Sequence, residues 1–269
     1  MVLSYFAKTY CASLPKALRG LLGVHDPRRM QAFSHLILDH TDRQQDCPYL
    51  GSRDIADLLP QAADCDVATV GDYYKRQTGG THSLLELSVL GYIVQGIKPR
   101  RIFEFGTFVG QTTRVLAMNS PADAEIITLD LPESMAGHTV GQRVKNTPQA
   151  GKVRLVSGDS MNFDFSRWYG TCDFVWVDAN HDYPYVKSDT TQALRLIGPN
   201  GWIAWHDYRH SAWWSGVTRC LKDLKRDHQS LSHIRGTTIC VLPPLETGNS
   251  GPRSVPSQDA GTASGSRLA

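Results

Sequence analysis

Five short apolar runs, separated by stretches long enough to carry a helix, constrain this chain more than any other feature. Residues 101–106 (RIFEFG), 124–130 (AEIITLD), 153–157 (VRLVS), 172–178 (CDFVWVD) and 202–205 (WIAW) read as strands. Residues 112–119 and 185–197 read as helices between them, and 84–97 as a helix just before the first. Gly198-Pro199-Asn200-Gly201 reads as the turn that ends the later helix. Strands that are apolar almost throughout, alternating with helices, indicate a parallel sheet buried on both faces. Residues 233–234 and 237–242, hinged at Gly236, read as a closing antiparallel pair. The expectation is an α/β, doubly wound, mostly parallel seven-stranded sheet with helices on both faces.

Composition sets the outer limits. The 269 residues suffice for one such domain with a substantial core. Twenty-eight Lys and Arg against 26 Asp and Glu leave a formal charge of +2, too balanced for nucleic-acid binding through a basic surface. No apolar stretch approaches the roughly 18 residues of a membrane span. Lys8 interrupts the N-terminus too early for a secretory leader. Six cysteines at 11, 47, 65, 172, 220 and 240 form no C-x-x-C pair, so free thiols in a cytoplasmic protein are expected. Residues 1–50 read as a helical arm or cap, suited to packing on the body, to docking on a membrane surface or partner, or to forming a homodimer. Residues 51–242 read as the main domain. Residues 243–269 hold four Pro, four Gly and five Ser, and read as a disordered tail.

In a sheet of this kind ligands bind at the carboxyl ends of the strands. The first strand runs into Glu104-Phe105-Gly106-Thr107-Phe108-Val109-Gly110, which is not the dinucleotide fingerprint G-x-G-x-x-G. Glycines at 106 and 110 allow a tight turn close to a ligand. Glu104 beside that turn suits an ammonium or sulfonium group better than a pyrophosphate. Asp130, ending the second strand, suits ribose hydroxyls. Together they favour S-adenosylmethionine over a nicotinamide dinucleotide. Gly158-Asp159-Ser160-Met161 follows the third strand, where Asp159 or Ser160 suits the exocyclic amine of adenine; the same residues are also ordinary turn chemistry.

Asp178 ends the fourth strand, and His206-Asp207 ends the fifth, 28 and 29 residues later. One strand–helix–strand unit fits that interval, and neighbouring strands lie about 4.8 Å apart, so all three side chains can converge on one ion. Two carboxylates and an imidazole suit Mg²⁺, Mn²⁺ or Fe²⁺. His181, three residues past Asp178, suits a general base. A second reading stands beside this one: Asp182 caps the helix ahead of Pro184, and His206 only packs. Trp213-Trp214 and Tyr73-Tyr74-Lys75-Arg76 fit a substrate wall and lid, or equally a loop anchor and a solvated helix face. Cys172 and Cys220 read as buried small apolar side chains.

From residue 78 to 242 the chain resembles the class I S-adenosylmethionine-dependent methyltransferases, whose fold is Rossmann-like. It is most similar to the metal-dependent small-molecule O-methyltransferases of the catechol and caffeoyl-CoA type, with their bacterial relatives acting on sugars and natural products. EFGTFVGQTT resembles the family's first motif, LDLPE its ribose-binding strand end, GDSM its adenine loop, and VDANHDY with GPNGWIAWHDY its metal-and-base strand ends. Gly79-Gly80-Thr81 resembles the segment that folds over the methionine end of the cofactor. The resemblance implies Glu104, Gly106, Thr107, Gly110, Asp130, Asp159, Ser160 and Asp178 at the cofactor. It implies Asp178 as a metal ligand, joined by His206 and Asp207, with His181 and Asp178 at the chemistry. The sequence departs from the family where His206-Asp207 replaces the usual acidic pair and where His181 replaces the common lysine. The implied activity is methylation of a hydroxyl on a small acceptor. Two other classes share these features: a metal-dependent hydroxylase or oxidoreductase on the same sheet, and a non-catalytic module that binds cofactor or a partner.

Overall fold

Alternate side chains of one strand enter two different cores, which fixes how the sheet is covered. In β2 (Arg101–Phe105), Phe103 and Phe105 join one buried cluster while Ile102 joins another. The first cluster takes Val186, Ala193 and Leu194 from helix α3 (Tyr183–Leu196) and Val217, Leu221 and Leu224 from α4 (Gly216–Asp227). The second takes Leu90, Ile93 and Val94 from α1 (Leu84–Ile97) and Leu116 from α2 (Gln111–Asn119). Helices therefore lie on both faces, as near-continuous apolar strands require. This computed structural model describes residues 47–69, 83–209 and 215–244. The expectations for residues 1–46, for Tyr73 to Arg76, for Gly79 to Thr81, for Trp213-Trp214 and for 245–269 lie outside the described residues.

The remaining strands are β1 (Ser52–Arg53), β3 (Glu125–Asp130), β4 (Val153–Ser157), β5 (Cys172–Val177), β6 (Ile197–Trp205), β7 (Ser232–Ile234) and β8 (Cys240–Leu242). Their order in the sheet is β1-β7-β8-β6-β5-β2-β3-β4. β8 runs antiparallel to both β6 and β7, as the hinge at Gly236 suggested; the other pairings are parallel. An eighth strand joins the seven expected. Ser52 and Arg53 pair with His233 and Ile234, a segment too short to carry a period-two pattern. Cys47 and Leu50 also belong to the main core.

The Gly198–Gly201 segment needs a correction. It lies inside β6 rather than before it, but Cys172 pairs with Ile197 and Phe174 with Trp202. One residue of β5, Asp173, thus opposes four of β6, and the surplus is looped outward, with Pro199 and Asn200 exposed. The turn chemistry is present; strand pairing simply closes around it. Among the described residues no cysteine forms a disulfide, and no helix is long and apolar enough to cross a membrane.

Candidate active site

The chain builds β2, β3 and β4 outward in one direction, then returns to lay β5 and β6 on the other side of β2. That reversal opens a crevice between the carboxyl ends of β2 and β5. Backbone hydrogen bonds tie the strand ends together: Gly158 N donates to Asp130 O, Gly106 N to Leu129 O, Asp178 N to Phe105 O and His206 N to Val177 O, at 2.8–3.2 Å. Gly106, Asp130, Gly158, Asp178 and His206 are therefore each tied to a neighbouring strand end.

Glu104 is fully buried. Thr113 of α2 donates to its Oε2 at 2.5 Å, while Oε1 has no hydrogen-bond partner among the described residues. Burial pushes its carboxyl up to about 8; Thr113 and Thr128 draw it down, and the charges of Asp178 and Asp130 push it further up. β2 lies between β3, which ends at Asp130, and β5, which Asp178 follows, so the three acids belong to neighbouring strand ends. A buried carboxylate oxygen without a donor fits an ammonium group.

The glycines act differently from the sequence reading. Gly106 has φ +90°, and a Cβ on it would lie 2.1 Å from Asp178 O. Its bareness admits the β5 backbone rather than a ligand. Gly110 has φ +83° and comes equally close to Gly141, whose Cα would sit 2.9 Å from an added Cβ. Thr107 turns its hydroxyl inward to Thr128 Oγ1 at 2.6 Å. Asp130 accepts from Phe108 N at 2.6 Å and Leu131 N at 2.7 Å. A carboxylate offers about four acceptor positions, so room for ribose hydroxyls remains. Phe108 itself is held at φ 47°. Asp159 closes its own turn, accepting from Met161 N at 3.0 Å and Asn162 Nδ2 at 3.1 Å. The loop also presents Ser160 and the 44% exposed Met161.

The densest chemistry lies across β5 and β6. His181 Nε2 is 3.6 Å from Asp178 Oδ1 and 3.3 Å from Asp207 Oδ2. His206 Nδ1 is 3.5 Å from each of the same two oxygens. Two imidazoles thus face one pair of carboxylate oxygens from opposite sides. Asp178, His181 and Asp207 offer ligand atoms within 4.8 Å of one another, and the donor set suits a divalent cation. Arg209 Nη2 approaches Asp207 Oδ1 at 3.5 Å. A hydrogen bond to Asp178 is the largest influence on His181, and with the charge of Asp207 it outweighs burial to raise that imidazole. Burial works against protonation of His206, but Asp178 and Asp207 prevail and raise it well above the usual range. Asp207 is pushed up by burial and pulled down further by His206, so its carboxyl ends low. Its backbone has φ 58°, an uncommon conformation that Asp tolerates better than most residues.

The helix-cap alternative does not form. Asp182 occupies the N-cap of α3 but makes no side-chain capping bond, and Asn180 Oδ1 instead accepts from its N–H at 2.8 Å. Three residues of this region carried no sequence signal that singled them out. Glu86, buried in α1, reaches His206 from behind. Asp189 lies buried in α3; burial raises its carboxyl to about 7, Ser160 draws it down, and Asp159 pushes it up. Gly216 begins α4 against the His181 loop, where a Cβ would fall 2.3 Å from His181 O. All three depend on contacts between distant segments, which periodicity does not reveal.

On this doubly wound sheet, with acids at the ends of β2 and β3 and a histidine–aspartate cluster at β5 and β6, residues 103–208 match the family model described as a methyltransferase domain. The caffeoyl-CoA O-methyltransferase of Stellaria longipes is 26% identical over 131 residues, covering 46% of this chain and 52% of that protein. The chain thus spans about half the length of this curated relative. A solved structure of a candidate O-methyltransferase from Klebsiella pneumoniae superposes with a TM-score of 0.51 at 17% identity, over 73% of this chain and 92% of the other. The O-methyltransferase TomG from Streptomyces achromogenes, solved in complex with SAM, gives 0.48 at 18% identity, over 74% and 93%. At 17% identity the likeness to the Klebsiella structure shows the fold alone.

Proposed function

We propose that the chain transfers a methyl group from S-adenosylmethionine to a hydroxyl oxygen of a small molecule. The observation that carries this reading is the buried Glu104, whose Oε1 has no hydrogen-bond donor among the described residues, at the same crevice as the His181–Asp178–Asp207 cluster. Bound S-adenosylmethionine supplies an electrophilic methyl on a positively charged sulfur. Glu104 pairs with the ligand's ammonium, and Asp130 accepts from its ribose. Ser160 serves the adenine edge, while Asp159 shapes the loop that carries it. Gly106, Thr107 and Gly110 act through the backbone by fixing the turn between them.

His181 is 52% exposed, whereas His206 is only 10% exposed. The exposed ring can touch an acceptor and takes the hydroxyl proton; the buried ring is suited to permanent ligation. Asp178, Asp207 and His206 hold a divalent cation in this reading, and such a cation lowers the pKa of a bound hydroxyl. As the oxygen gains the methyl, the sulfur keeps the electrons of the broken S–C bond and the proton leaves to His181. Orientation of the oxygen in line with that bond supplies much of the rate. Incubation with S-adenosylmethionine and hydroxylated acceptors should yield S-adenosylhomocysteine and an O-methyl product in equal amounts by mass spectrometry. An oxygenated product without S-adenosylhomocysteine would instead establish the hydroxylase class.

Glu104 also gives a pH signature. The folded chain holds its proton up to about 8, whereas an ordinary Glu carboxyl gives it up near 4.5. Between those values the folded state binds more protons than the unfolded one, so stability of the ligand-free protein falls as pH rises. The slope is at most about 1.4 kcal/mol per pH unit. A ligand ammonium favours the ionised form, so its binding expels the proton and tightens with rising pH over the same window. Urea midpoints and ligand titrations at pH 5.5 and pH 8 should show both trends, and Glu104→Gln should flatten them; equal slopes in the two proteins would contradict the assignment.

A further inference from the structure

Glu86 occupies the third position of α1 and is 2% exposed. Its Oε2 accepts from Ser83 N at 2.8 Å and Ser83 Oγ at 2.9 Å, closing a capping box at the start of the helix. A capping box needs no more than that. Oε1 additionally accepts from Thr238 N at 2.9 Å and Thr238 Oγ1 at 2.8 Å, beside the turn into β8. Two segments 152 residues apart therefore hold this carboxylate rigid. Held so, its Oε2 stands 3.6 Å from His206 Nε2, while the Nδ1 edge of that ring faces Asp178 Oδ1 and Asp207 Oδ2 at 3.5 Å. An imidazole has only two polar atoms, and each lies 3.5–3.6 Å from a carboxylate oxygen, within ion-pair range. Trp176 flanks the ring at 5.9 Å between centroids.

We propose that Glu86 is a positioning residue that fixes the His206 ring with Nδ1 presented to the cation-binding oxygens of Asp178 and Asp207. The inference rests on the reading of that cluster as the reaction centre. A carboxylate behind the far nitrogen of a ligating histidine sets the ring's orientation and tautomer, and removing such a partner typically weakens metal affinity by about 10–100-fold. Glu86→Gln keeps size and one acceptor but gives up the charge facing Nε2.

Two readouts on the full chain test this without turnover. The first is the ¹⁵N spectrum of the His206 ring in metal-free protein, assigned by His206→Asn, at one fixed pH. The wild type should show one ring state, and Glu86→Gln an altered or averaged one. The second is Mn²⁺ affinity by electron paramagnetic resonance, expected to fall about 10–100-fold in Glu86→Gln. Gly170→Ala, ahead of β5 and at the opposite end of that strand from the cluster, supplies the structural control: its left-handed backbone should lower the melting temperature by a few degrees while leaving both readouts as in wild type. Glu86→Asp replaces Glu86→Gln if the latter fails to fold. Unchanged His206 signals in the folded Glu86 variant overturn the proposal, as do equal changes in Gly170→Ala. A wild type that binds no Mn²⁺, with His206 signals that still respond to Glu86, keeps the positioning role and removes the cation reading instead.

Discussion

Replacing His181 with alanine is expected to lower kcat by about 10²–10⁴-fold, the usual worth of a positioned general base. The binding constant for the cofactor should stay within a few fold, because the cofactor-facing acids Glu104 and Asp130 belong to β2 and β3 rather than to the His181 loop. Stability should hardly change. The ring is 52% exposed and its contacts with Asp178 and Asp207 are longer than 3.2 Å, and surface substitutions commonly stay within about 0.5 kcal/mol. Steady-state kinetics with calorimetry and a thermal melt on one preparation separate these effects. Loss of cofactor binding in step with kcat would show that His181 organises the crevice rather than taking a proton.

Of the glycine-to-alanine changes at the described residues, Gly106→Ala brings the added carbon nearest to backbone and should be the most damaging. The added carbon would lie 2.1 Å from Asp178 O, 2.7 Å from Asp178 C and 2.9 Å from Ala179 Cα. These are backbone atoms at the end of a central strand, so they cannot rotate aside. Relief requires the ends of β2 and β5 to part, stretching the 3.0 Å bond from Asp178 N to Phe105 O and displacing the Asp178 carboxylate. We expect a stability loss of about 3 kcal/mol or more and at least a hundredfold fall in kcat/KM, the scale of a catalytic group moved by about 1 Å. Gly170→Ala isolates the backbone contribution: φ there is +68° but nothing lies within 4 Å of the added carbon. It should cost about 1–2 kcal/mol, the left-handed penalty alone, with activity retained. Urea denaturation of the two variants checks the ranking, and equal losses would contradict the overlap argument.

Local signals predicted most of the framework. The helix over Leu84–Ile97 and the strand over Val153–Ser157 match to the residue, because each is closed by chemistry visible in the chain: a capping Ser83 in one case, glycine turns in the other. The β1 strand was invisible because two residues acquire strand geometry only by pairing with His233 and Ile234. Within the site, the types of residue at strand ends were legible and their partners were not. Thr107 and Asp159 looked ligand-facing, yet Thr128, Met161 and Asn162 claim their polar atoms. Gly106 looked like a ligand cradle, yet it accommodates Asp178. Glu86 carried no mark in the linear chain, and only folding brings Thr238 and His206 to it. Each of these differences arises where a tertiary neighbour takes an atom that the linear chain leaves open.

Calorimetric titration of the full chain with S-adenosylmethionine probes the foundation of the account. A single site with a dissociation constant of about 1–100 µM, lost on replacing Glu104 with alanine, is the predicted result. No heat of binding at millimolar ligand, in a protein whose melt shows it folded, would contradict it.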